Sequence, residues 1–103
     1  MKVIAKLSEQ IEEEIHDAEH YIKWALECKD ERRGLADVLY SLSLEEMKHM
    51  NILHEQVTQI IAEYRRDNGE PPANMLAVYD YLHKKQIENA NAVKMYQEQY
   101  KIG

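Results

Sequence analysis

Glu46 and His49 stand three residues apart in Glu45-Glu46-Met47-Lys48-His49, and Glu14 stands in Glu12-Glu13-Glu14-Ile15-His16. On a helix, a carboxylate and an imidazole at i, i+3 share a face and point the same way. With a second carboxylate from a neighbouring helix, they make two anionic oxygens and one neutral nitrogen. That donor set suits iron, and also zinc or manganese. Helix bundles assemble carboxylate-bridged di-iron centres from such parts, a lone Glu on one helix and Glu-x-x-His on another.

The surroundings make the three residues conspicuous. Stepping by three and four, the first helical segment reads Leu7, Ile11, Glu14, Ala18, Tyr21, Ala25, Cys28. The next reads Leu35, Leu39, Leu42, Glu46, His49, Leu53 and, through Gln56 or Val57, Ile60. Each series is apolar or aromatic apart from one polar interruption near its middle. Burying an unpaired carboxylate costs several kcal/mol, and a bound cation is one way to offset that cost. The competing interpretation places the three residues at the edge of the seam, where water satisfies them. The pattern alone leaves both open.

Other candidates carry weaker signals. Asp80 and His83 are also i, i+3 and would form a second, degenerate half-site or an exposed hydrogen bond. His16 and His20 are i, i+4, a spacing that holds zinc, but Glu12, Glu13, Asp17 and Glu19 around them describe an outer surface, where they would make a secondary cation site. His54 is expected at the seam's edge, and Met47, Met50 and Met75 as packing residues. Cys28 reads as a small buried hydrophobe. Tyr79, Tyr81, Tyr96 and Tyr100 crowd the last third of the chain, where they would cover a dimer or mediate larger assembly.

The elements that must position these residues are helices. Only Asp30-Glu31-Arg32-Arg33-Gly34 and Asn68-Gly69-Glu70-Pro71-Pro72 interrupt a chain rich in Glu, Lys, Leu, Ala, Ile and Met. The second is the stronger break. At the first, Asp30 is available as a cap and Gly34 could be absorbed into a helix. The reading is all-α, with helices over roughly 7–29, 34–67 and 73–99 and the first two forming an antiparallel hairpin. The 103 residues suffice for one domain, 1–103. The net charge of −6 argues against nucleic acid, and no apolar run approaches the roughly 18 residues of a membrane span. Met1-Lys2-Val3-Ile4-Ala5-Lys6 lacks the features of a signal peptide, and the single cysteine cannot form an internal disulfide, so a cytoplasmic protein is expected.

At its candidate ligands the chain resembles the ferritin-like superfamily, which includes ferritins, rubrerythrins and the small encapsulated ferritins. Glu14 with Tyr21 seven residues on is one motif; Glu45-Glu46-Met47-Lys48-His49-Met50, similar to the family's Glu-Glu-x-x-His-Ala, is the other. The likeness covers roughly residues 7–60 and leaves out the third helix. It implies Glu14 as a terminal carboxylate ligand, Glu46 as the bridging carboxylate, His49 as a terminal imidazole, Tyr21 as the aromatic beside the site, and ferroxidase chemistry. Full-length members have four core helices and two half-sites; here no second Glu-x-x-His follows His49. Encapsulated ferritins solve that deficit by pairing subunits. The resemblance therefore implies a ferritin-like bundle completed as a homodimer or higher homo-oligomer, with two irons between copies. No rubredoxin-like cysteine pairs are present, and Gln99-Tyr100-Lys101-Ile102-Gly103 carries no visible motif for targeting to an encapsulating shell.

Overall fold

Both breaks interrupt the chain where the sequence places them. The computed structural model describes residues 2–102, which form α1 (Lys2–Cys28), α2 (Arg33–Asn68) and α3 (Ala73–Ile102), with no strand among them. At a rise of about 1.5 Å per residue, the longest helix alone accounts for the long dimension of a molecule measuring 56 × 19 × 18 Å.

The helix ends differ from expectation in instructive ways. α1 starts at Lys2 rather than near residue 7, because Ile4, 1% exposed, extends its buried face by a further turn. The first break is a tight turn closed by the Arg32 N–H on the Cys28 carbonyl at 2.8 Å. Arg32 is the N-cap of α2 and offers no side-chain cap bond, so Asp30 is not the cap; Gly34 is absorbed into the first turn. At the second break Gly69 takes φ +80°, and its N–H reaches the Arg65 carbonyl at 3.1 Å. A residue with a Cβ is strained in that conformation. The Pro72 carbonyl then accepts the first N–H bonds of α3, from Met75 and Leu76.

Across the first turn, contacts pair residues in opposite order, Ala18 with Ser43 and Glu14 with His49, so α1 and α2 run antiparallel. α3 runs alongside α1 in the same direction, with Gln86 on Ser8 near one end and Tyr100 beside Lys29 near the other. The core lies between all three: Ile11, Ile15, Ala18, Ile22 and Ala25 of α1, Ala36, Leu39 and Met47 of α2, and Ala90, Val93 and Tyr100 of α3. Full burial of such an aliphatic side chain contributes about 1.5–3 kcal/mol.

Ile11, Ala18 and Ala25 of the expected α1 seam and Leu39 of α2 are buried, but the core is centred to one side of that seam, towards Ile4, Ile15 and Ile22. On α1 the heptad line Leu7, Glu14, Tyr21, Cys28 is half-buried beside it. On α2 Leu35 is 40% exposed and the side chain of His49 53% exposed. Met47 is buried, while Met50 and Met75 are half-buried.

Two polar arrangements fix the register. The buried Ser43 hydroxyl donates to the Ala18 carbonyl at 2.7 Å and accepts from Gln97 Nε2 at 3.0 Å, joining the three helices at one level. At the hairpin end, Tyr100 stacks on Tyr40, its hydroxyl donates to Asp37, and Lys29 donates to its carbonyl. Burial and the Asp37 carboxylate push the Tyr100 phenol up to about 12, so it remains a donor throughout the ordinary pH range. No helix among the described residues is long and apolar enough to cross a membrane.

Candidate metal centre

Three side chains from two helices meet one turn below the Ser43 relay. Glu14 points inward from the half-buried line of α1, while Glu46 and His49 come from adjacent turns of α2. His49 Nδ1 lies 3.5 Å from Glu14 Oε2 and 3.8 Å from Glu46 Oε2. One ligand atom from each of the three falls within 4.8 Å of the others. Donors around a common ion at about 2.0–2.2 Å stand roughly 3–4 Å apart, so a modest carboxylate rotation suffices to converge them.

The carboxylates are the inner part of the site and the imidazole its rim: the Glu14 and Glu46 side chains are 14% and 19% exposed, against 53% for His49. Gln10, one turn before Glu14, donates from Nε2 to Glu14 Oε1 at 3.1 Å. That bond orients the carboxylate and leaves Oε2 facing Glu46 and His49. With Glu46 ionised, Glu14 Oε2 is shut off from solvent and accepts no hydrogen bond. Buried oxygens are rarely left this way, because the lost hydration is not replaced.

The two carboxyl groups are coupled. Glu46 is pushed up to about 7, first by sharing a hydrogen bond with Glu14, then by burial and by the Glu14 charge. The same bond holds Glu14 below its ordinary value. Protonating Glu46 gives Glu14 a donor and removes the repulsion between the two carboxylates. A cation bound there would replace that proton, satisfy Glu14 Oε2 and neutralise both acids. The residues thus fit a divalent cation, with open positions on the side of His49.

The remaining sequence candidates stay apart from this cluster. Tyr21 lies two turns along α1 from Glu14, half-buried against the core, and no hydrogen bond joins it to the three residues. His16 is exposed beside Glu9, Glu12, Glu13 and Asp17, and His20 faces the rings of Tyr21 and Trp24. Asp80 and His83 lie on α3 and do not reach the triad; His83 instead meets His54 of α2. Sequence reasoning missed two features. Gln10 was detectable as an i−4 partner of Glu14. The His54–His83 pairing was not, because 29 residues separate its members and only the register of α2 against α3 unites them.

Among the described residues, Glu14, Glu46 and His49 are the sole group of three or more His, Cys, Asp or Glu side chains with converging ligand atoms. No protein-family model, no curated protein and no solved structure matches this chain.

Proposed function

We propose that this protein binds iron through Glu14, Glu46 and His49, and that two copies pair to complete a carboxylate-bridged dinuclear centre with ferroxidase activity. The observation carrying the proposal is Glu14 Oε2, a buried carboxylate oxygen with no donor once Glu46 is ionised, set against a second carboxylate and an imidazole. Three donors leave a first-row ion undersupplied, and His49 opens outward, so the remaining ligands come from water or a second copy. Leu35, Val38 and Ile52 of α2 and Trp24 of α1 are 40%, 56%, 59% and 43% exposed. On α2, Glu46 and His49 lie roughly 100° around the axis from Ser43 and His54, which face α3. The face bearing the triad is thus left uncovered by the third helix, and a two-fold axis there would present each half-site to its copy.

Fe(II) is the substrate in this reading. Two ferrous ions each give one electron, and dioxygen takes both with two protons to leave as hydrogen peroxide. The chain's own contributions are specific. Glu14, held by Gln10, supplies a fixed anionic oxygen. Glu46 gives up its shared proton on metal loading and adds a second anion as charge rises. His49 supplies a neutral nitrogen at the rim. Zinc and manganese share this donor preference, which makes metal identity part of the test.

The shared proton favours one alternative: a non-enzymatic helical interaction protein on the same frame, in which a proton rather than a cation reconciles Glu14 and Glu46. Aerobic Fe(II) oxidation and metal content separate the two. The proposal expects about two irons per dimer, as two half-sites require, and loss of both loading and oxidation in Glu46→Ala and His49→Ala with helicity retained. Unchanged oxidation in both variants rejects it; a stable, metal-free, redox-silent protein supports the alternative.

A further inference from the structure

His54 and His83 form a second cluster of metal-ligating atoms, on a different face of α2 from the triad. Their imidazole planes are within 16° of parallel, with ring centroids 4.8 Å apart. Their Nε2 atoms are much closer, at 2.9 Å, so the nitrogen edges rather than the ring faces meet. In the metal-free chain one N–H donates to the other's lone pair.

We propose that His54 and His83 form a bis-imidazole site for a divalent first-row ion, which clamps α3 onto α2. Bond geometry lets one ion reach both nitrogens. Two nitrogens about 2.0–2.1 Å from one metal lie about 3.3 Å apart at a tetrahedral angle and about 2.9 Å apart at a right angle. The observed 2.9 Å is the length of the metal-free N–H···N bond, close enough to either figure for an ion to replace the shared proton with little movement. Imidazole nitrogens suit nickel(II) and copper(II), and copper(II) binds most tightly of the divalent first-row series, so these two ions are the probes.

The surroundings are consistent with such an ion. His54 and His83 line two clefts, of about 290 Å³ and about 180 Å³, leaving room for the waters that would complete the coordination sphere. Asp80 lines the smaller cleft but is not grouped with the two imidazoles, so it adds charge nearby rather than a third ligand. Partial burial holds His54 below its ordinary value, with the neighbouring His83 acting in the same direction, and a ligating imidazole must be neutral. The pair also links the C-terminal half of α2 to the N-terminal half of α3, where Val78, Tyr81 and Ile87 lie exposed. An ion held from both helices stabilises that docking, since the separated helices no longer present the chelate.

The test is titration of the purified full chain with Ni(II), and separately with Cu(II), followed by thermal unfolding and amide hydrogen exchange. It is run in a Glu46→Gln background that removes the carboxylate pair of the triad. At free Ni(II) about ten times its Kd, exchange of amides between His83 and Ala90 should slow about tenfold by linkage. Cu(II) should give electron paramagnetic resonance with hyperfine coupling to two nitrogens. His54→Ala and His83→Ala should each abolish these responses while circular dichroism remains helical. His16→Ala/His20→Ala, which removes the exposed i, i+4 chelate on α1, should retain them. Responses that survive in both His54→Ala and His83→Ala, that disappear with His16 and His20, or that are absent from the parent would overturn the proposal.

Discussion

At the residue scale, Glu46 is the side chain whose chemistry can be read most directly by titration. Its folded value of about 7 lies above the ordinary 4.5, so the metal-free fold holds this proton more tightly than the unfolded chain does. The sign follows from linkage. Glu46 contributes its full stability below about pH 4.5 and loses it as pH rises through about 7. Glu14 is shifted the other way, and its contribution falls away on acidification below its ordinary range. The melting temperature of metal-free protein should therefore drop between pH 6 and pH 8, and Glu46→Gln should flatten that drop. A divalent ion should reverse the trend, with its affinity rising by up to about tenfold per pH unit as one proton is displaced. A pH 6 to pH 8 dependence that is the same in Glu46→Gln as in the parent would contradict the raised Glu46 value. Glu14→Leu makes the complementary point. Replacing that carboxylate, which the fold holds ionised beside Gln10 and Glu46, with an apolar group should abolish the metal response, as read by denaturant unfolding with and without Fe(II).

At the scale of the elements, Ser43 explains why the helices settle in one register. Ser43→Ala removes the acceptor for Gln97 and the donor to the Ala18 carbonyl, and all three residues are buried. The loss should be about 1–3 kcal/mol in urea unfolding, the cost of stranding buried polar groups. A Gln97→Leu partner substitution should recover part of it, because removing both members of a buried pair is gentler than removing one. The sequence made the three helices legible because the propensities agree over long stretches and because Gly69, Pro71 and Pro72 are incompatible with a continuing helix. It placed Ile11, Ala18, Ala25 and Leu39 in the core but set the rest of the seam too deep, for a physical reason. α1 carries two adjacent apolar lines, Leu7–Glu14–Tyr21–Cys28 and Ile4–Ile11–Ile15–Ile22, and a three-helix bundle buries the second more deeply than the first. A period of 3.6 identifies both lines but cannot rank them without knowing where the third helix packs. Glu14, Glu46 and His49 were legible as a set because they interrupt the shallower line. Gln10 and His54–His83 depend on rotamer and register, which a single sequence does not specify.

At the scale of the whole molecule, the uncovered face of the hairpin and the incomplete donor set lead to the same expectation. Ile52 exposes apolar surface one turn from His49, and Trp24, Leu35 and Val38 expose more of it towards the hairpin turn. If two copies meet there, pairing and metal binding are thermodynamically linked: an ion that needs both half-sites strengthens the dimer, and dimerisation raises affinity for the ion. Val38→Glu and Ile52→Glu place like charges against their own copies across a two-fold axis while leaving Glu14, Glu46 and His49 in place. Sedimentation should show a dimer of the parent chain that tightens with Fe(II) under anaerobic conditions, and a monomer in the double variant. The informative measurement is the oxidation rate of that monomer. Linkage requires it to fall together with the dimer and to recover as protein concentration is raised. If the variant is monomeric yet oxidises Fe(II) at the parent rate at every concentration, the three donors act alone and pairing has no part in the chemistry.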